Sequence, residues 1–271
     1  MLIKALVENT SDSEMYGCEH GLSLYIEMQK HRLLFDVGAS PLFFENAEKM
    51  GVSISDIDYL VISHGHYDHG GGLRTFLEEN SKAKIYIRRQ AFEKHYALRQ
   101  SGGKYEVGLD EGFDNHPQMV FTSNRDSIDD GLWLFAEVPQ KKPQQPSGLV
   151  VERQGQIVED DFVHEQNLVI EENGKIVLIT GCAHQGIVNI LEHYSELKGS
   201  MPDAVIGGFH LSNLSGTAEG NKVIDTIGEY LLDTKAKYYT GHCTGLEPYK
   251  RLKAIMGEAI DYISTGQEIR L

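Results

Sequence analysis

His64, His66, Asp68 and His69 fall within six consecutive positions, in Ser63-His64-Gly65-His66-Tyr67-Asp68-His69, and Gly70-Gly71-Gly72 follow at once. Neutral imidazole nitrogen and carboxylate oxygen both suit zinc, iron or manganese. The apolar run Tyr59-Leu60-Val61-Ile62 leads straight into the cluster, which places it at the end of a buried strand. Four polar side chains are costly to bury there without a partner, and a bivalent cation is the obvious one. A structural zinc site would normally close with several cysteines. A helical HExxH site would space its histidines by four positions rather than two.

Three later apolar runs end in the same manner. Residues 176–180 lead into Gly181-Cys182-Ala183-His184, residues 204–206 into Gly207-Gly208-Phe209-His210, and residues 237–240 into Gly241-His242-Cys243-Thr244-Gly245. In layered α/β folds ligands gather at strand ends, where loops are released from the sheet's hydrogen bonding. Four such endings point to one convergent site.

The elements that must position these ends are legible as short β-prone runs alternating with helical periodicity. Strands are expected at 2–7, 22–28, 32–37, 84–88, 132–138, 148–153 and 167–171 besides the four above. Helices are expected from Pro41 to a stop at Gly51, and at 73–79, 90–99, 187–197, 223–232 and 249–256. Residues 100–118, rich in glycine and acid, are too long for a plain connection and read as a lid over a site or a surface insertion. Residues 141–147 read as a polar linker, and residue 262 with 269–271 as strands closing the sheet. The turn at Gly70 to Gly72 stands before the helix at 73–79. It either offers a positive helix end to an anion or is simply a tight turn.

The 271 residues suffice for a full core, and the order of elements predicts an α/β (layered α+β) fold. A net charge of -15 argues against a nucleic-acid partner, because such binding rests on phosphate neutralisation by Lys and Arg. No run approaches ~18 apolar residues, so no membrane span is expected. Cys18, Cys182 and Cys243 form no CxxC pair, and the start lacks the pattern of a signal peptide; both fit a cytoplasmic protein. The oligomeric state is not legible.

The pattern His64-x-His66-x-Asp68-His69 after an apolar strand resembles the metal signature of the metallo-β-lactamase superfamily, and Asp36-Val37-Gly38 after an early strand matches it too. Glu19-His20-Gly21-Leu22-Ser23, Gly181-Cys182-Ala183-His184, Gly207-Gly208-Phe209-His210-Leu211 and His242-Cys243-Thr244-Gly245 extend the resemblance. They are similar to the branch named for dihydropterin-methyl-ribofuranosylaminobenzene-phosphate synthase, over nearly the whole chain.

The resemblance implies an αββα metallo-β-lactamase-type sandwich, a single domain over 1–271, with two bivalent metal ions in a cleft at one edge. Zinc is the expected metal, with iron or manganese as alternatives. His64 and His66 would hold the first metal, Asp68 and His69 the second. His184 is the expected third ligand of the first metal, with His164 as rival. His242 is expected to complete the second, leaving His210 for substrate or proton transfer; the reverse assignment stays open. Cys182 stands where many members place a bridging aspartate. It is grouped with His20 as substrate-contacting, and a bridging thiolate or an inert buried thiol are the alternatives. His31, His95, His116 and His193 are left to surface or core.

Such a centre makes hydroxide available near pH ~7 rather than the ~15.7 of bulk water. Asp68 would orient that nucleophile and His210 would protonate the leaving group. The expected activity is hydrolysis of an anionic or phosphorylated small molecule. Hydrolysis of a thioester, lactone or lactam is a rival, the branch name suggests a pterin-pathway synthase, and a metal-binding sensor without turnover is the non-enzymatic alternative.

Overall fold

Short β-prone runs separated by amphipathic stretches can bury their apolar faces only as sheets covered by helices, and the chain folds that way. The structure, a computed structural model, describes residues 1–98, 102–141 and 148–271. It divides into two compact units. One comprises Met1–Asp126, Pro146–Gln166 and Ser264–Leu271, the other Ser127–Gln145 and Asn167–Ile263.

In the first unit a seven-stranded sheet runs in the order Glu268–Arg270, Leu2–Val7, Ser23–Glu27, Arg32–Phe35, Tyr59–Val61, Lys84–Arg88, Met119–Thr122. Pairs up to Arg32–Phe35 are antiparallel, and those beyond it are parallel. Phe35 lies opposite Val61, so Asp36 and the Ser63–His64 turn leave the sheet at one edge. Helix Leu42–Lys49 turns Phe43 and Ala47, one helical turn apart, into a core with Leu34, Leu60, Ile85 and Phe76. Gly51, at φ +67°, donates to the carbonyl of Glu48 and ends the helix as expected.

A smaller antiparallel sheet, Gln156–Glu159, Leu149–Arg153, Lys94–Leu98, Lys104–Glu106, belongs to the same unit. It corrects the expected helix at 90–99. Only Arg89–Phe92 is helical, as a 3₁₀ turn, and Lys94–Leu98 is a strand, with residue 99 outside the described residues. Pairing of His95 with Val151 buries His95, and that tertiary gain overrides local helical preference. Residues 102–118 are not a loose insertion. Val107 and Leu109 are buried, and the Val107 carbonyl accepts the N–H of Tyr67 at 2.8 Å, which ties the segment to the histidine turn.

In the second unit the sheet order is Ile260–Tyr262, Lys237–Thr240, Ala204–Gly207, Lys175–Ile179, Gln166–Glu172, Leu132–Ala136, Arg125–Asp129. The first four strands are parallel, so the segments beginning at Thr180, Gly208 and Gly241 leave it at a common edge. Trp133, Phe135, Leu191, Tyr194 and Tyr238 build the core. Helix Ala218–Asp233 starts earlier than expected because the Thr217 side chain caps it, accepting the N–H of Gly220 at 3.0 Å. The expected closing strands sit in different sheets: Ile260–Tyr262 edges this one, and Glu268–Arg270 edges that of the first unit. Of the expected linker at 141–147, only residue 141 lies within the described residues. Among the described residues, no helix is long and apolar enough to cross a membrane.

Candidate metal centre

The histidine turn begins extended and finishes as one helical turn, Tyr67–Gly70. His64 and His66 come from the extended part, Asp68 and His69 from the helical part. All four are buried, with ring centroids 4.6 Å apart for His64–His66 and 4.1 Å for His64–His69. Asp68 Oδ2 lies 3.7 Å from His69 Nε2.

Asp36 organises this turn from the neighbouring strand end. Its carboxylate accepts the N–H of Ser63 and the Ser63 hydroxyl, both at 2.7 Å, and Nδ1–H of His69 at 2.6 Å. The same hydroxyl, its proton given to Asp36, accepts from Nδ1 of His64 at 2.9 Å. Both rings therefore carry their proton on Nδ1 and their lone pair on Nε2. This is the tautomer that a carboxylate behind a ligand histidine selects. Asp36 itself sits at φ +60°, a left-handed conformation that Asp tolerates better than most residues.

A second support stands behind Gly65. The His164 Nδ1 accepts the Gly65 N–H at 2.9 Å, and its Nε2 donates to Asp160 at 3.3 Å. With both ring nitrogens so engaged, His164 clamps the turn in the metal-free protein, and its ring keeps a ligand atom within 4.8 Å of those of His66, His95 and Asp160. Asp160 also accepts from His95 Nδ1 and from the N–H of Phe162, both at 2.8 Å. Burial pushes the Asp160 carboxyl up, but the hydrogen bonds from His164 and His95 outweigh it and hold it well below the usual carboxylate range. Gln166 fixes the segment, donating to the carbonyls of Ile62 and Tyr86. Gly65 itself is needed for close approach, since a Cβ there would run into the Ala91 carbonyl oxygen. Replacing Asp160 by Asn is expected to weaken metal binding about 10–100-fold, the usual cost of losing an outer partner. Competition against a chromophoric chelator measures it, and unchanged affinity would show that the clamp is passive.

Burial, then repulsion from His164, lowers the pKa of His66 well below the ordinary histidine value; burial lowers that of His164. Below about pH 6.5 the unfolded chain therefore binds protons that the folded rings refuse. Stability of the metal-free protein is expected to fall on acidification below about pH 6.5, because both rings are held neutral in the folded state. Urea midpoints across this range measure it; a midpoint independent of pH would contradict neutral folded rings.

The glycine turn is required by close backbone packing. A Cβ at Gly71 or Gly72 would run into the carbonyl of Ala39 or Val37, and the helix that follows, Leu73–Glu79, has seven residues. These glycines let two backbones pack closely. His20 is 59% exposed, and its Nε2 lies 3.2 Å from Asp68 Oδ2 while Nδ1 faces Asn9 Nδ2.

In the second unit, the loops beginning at Thr180, Gly208 and Gly241 are stitched together. Gly208 N–H donates to the Gly181 carbonyl at 2.8 Å, and the N–H of Phe209 to the Thr244 hydroxyl at 2.9 Å. Three non-glycine residues here, Ala183, His210 and His242, hold left-handed φ near +50°, strain of about 1–3 kcal/mol each that such sites concentrate. The His184 and His210 rings lie 4.4 Å apart. The structure also brings in Cys243. Burial raises its thiol pKa, but the hydrogen bonds with Cys182 and His210 and the nearby His242 hold it well below the usual thiol range.

The donor chemistry suits a bivalent transition metal in both units. In the first, ligand atoms of His66, His95, Asp160 and His164 lie within 4.8 Å of one another; in the second, so do those of Cys182, His184 and His210, and of Cys182, His242 and Cys243. Sequence reasoning missed Asp160 and its bond to the buried His95, and it gave Cys243 no task. Asp160 is one of 40 acidic residues and carries no motif, so nothing local signals it.

Residues 16–212 match the family model of the metallo-β-lactamase superfamily. The chain belongs to that superfamily. Over 262 residues it is 29% identical to an uncharacterised protein of Methanocaldococcus jannaschii, covering 94% of each. It is also 28% identical to the 7,8-dihydropterin-6-methyl-4-(β-D-ribofuranosyl)-aminobenzene-5'-phosphate synthase of that organism, covering 94% of this chain and 91% of the relative. Among solved structures, Tm1679, a metal-dependent hydrolase of the β-lactamase superfamily, superposes with a TM-score of 0.85 at 28% identity, covering 100% of this chain and 99% of its own. The expected α/β metallo-β-lactamase fold is therefore the fold of this protein.

Proposed function

We propose that the protein is a metal-dependent hydrolase that binds two bivalent metal ions, zinc first, and acts on an anionic or phosphorylated small molecule. The buried histidine turn carries this reading, because Asp36 presets two of its rings as Nε2 ligands before any metal arrives. Such pre-setting is the investment of a ligand site rather than of a core. His64, His66, Asp68 and His69 would hold metal from the turn, and His184 and His242 are the further ligands the family pattern suggests. A bound bivalent metal supplies Lewis acidity and makes water acidic near pH ~7. Asp68 orients the attacking water, His210 gives a proton to the leaving group, and His20 and Cys182 contact substrate. The three free cysteines fit a cytoplasmic location.

The test is metal analysis of the purified protein with turnover of phosphodiesters, phosphomonoesters, thioesters and lactones. Metal-dependent hydrolysis in one class, abolished by chelation and restored by zinc, supports the reading. Metal present without hydrolysis of any member turns the assignment toward the second reading. That reading, synthesis of a pterin-linked ribofuranosylaminobenzene phosphate, draws on the 28% identical relative's name. Product from a dihydropterin and an aryl ribosyl phosphate would establish it.

A further inference from the structure

We propose that Cys182, His242 and Cys243 form a sulfur-bearing metal position in the second unit, selective for a borderline-soft ion such as zinc or iron(II) over magnesium or calcium. It rests on the reading above that the chain binds bivalent metal, but moves Cys182 from substrate contact to a thiolate ligand and adds Cys243, which has no place in the expected ligand set.

The geometry is built rather than incidental. All three residues are buried, and their ligand atoms lie within 4.8 Å of one another. They come from two loops that leave the parallel strands Lys175–Ile179 and Lys237–Thr240. The second loop is locked by the Thr240 and Thr244 hydroxyls, 2.6 Å apart, and by Thr240 bonding to the Gly207 carbonyl at 2.9 Å. Gly208 makes room for the sulfur, since a Cβ there would run into Cys243 Sγ. The His210 backbone N–H donates to that sulfur at 3.3 Å, a contact that favours electron density held there. In the metal-free thiol form Cys243 donates in turn to the Cys182 carbonyl at 3.5 Å.

Binding exchanges protons for metal: each S–H bond breaks, its proton passes to solvent, and its electron pair forms the sulfur–metal bond. Two thiolates and an imidazole suit zinc, iron(II) or cobalt(II), whereas magnesium and calcium prefer oxygen.

The probe is cobalt(II), added to chelator-treated, reduced full-length protein. Wild type is expected to show near-ultraviolet sulfur-to-cobalt charge transfer. The band should fall by about half in Cys182→Ser and in Cys243→Ser and vanish in the double variant, if each sulfur contributes one bond. The exposed Cys18 provides the control, Cys18→Ser leaving the band unchanged. Zinc should displace the cobalt, and excess magnesium should not. Cobalt bound with its visible bands but without charge transfer, or Cys243→Ser retaining the full band, would overturn the sulfur site and leave the hydrolase reading standing. Failure to bind cobalt at all would remove both. Should the serine variants not fold, alkylation of wild type in sub-denaturing urea replaces them. Zinc should slow labelling of Cys182 and Cys243 but not of Cys18, and equal rates with and without zinc overturn the proposal.

Discussion

Replacing Asp36 by alanine is expected to cost about 3–5 kcal/mol of stability in the metal-free protein, because three buried donors lose their acceptor at once. Those donors are the Ser63 N–H, the Ser63 hydroxyl and His69 Nδ1, and Asp36 is fully buried among them. Alanine also tolerates the φ of +60° poorly, which adds to the loss. Asp36→Asn separates stability from function. Asparagine keeps the shape and the left-handed backbone, but its amide can present N–H where the carboxylate accepted. The His69 tautomer and, through Ser63, that of His64 lose their preference. This variant should stay folded and bind metal about 10–100-fold more weakly. Denaturant unfolding and chelator competition measure the two effects. An alanine variant within about 0.5 kcal/mol of wild type would reduce Asp36 to a bystander.

His64→Ala should lower metal affinity by more than about 100-fold, beyond the upper range for outer partners, since it removes a donor rather than an orienting group. Turnover should fall with it while the fold persists, because Asp36 still holds Ser63 and His69. His116→Ala is the control: its ring accepts a local N–H, from Gln118 at 3.4 Å, and its loss should leave metal content unchanged. Equal metal retention by the two variants would remove His64 from the ligand set.

The histidine turn was legible because its donors are dense in sequence and follow an apolar strand. The same holds for the strand ends before His184, His210 and His242, whose glycines and apolar runs are local signals. Asp36 was visible as part of a pattern, yet its work was not, because it bonds to His69 across 33 positions. Asp160 and His95 were hidden more deeply. They meet through a small antiparallel sheet whose strands are short and largely exposed, so neither periodicity nor a motif marks them. The exposed strand Gln156–Glu159 and the half-exposed Met119–Thr122 escaped for the same reason. The glycines after His69 were legible as a turn, but the contacts that require them, with Val37 and Ala39, are not local.

Metal stoichiometry of the reduced, chelator-treated protein after zinc titration decides whether the chain holds a pair of bivalent ions. Wild type is expected to retain two equivalents of tightly bound zinc, with a clear loss in His64→Ala. A folded wild-type protein that retains no zinc after removal of the free ion would contradict it.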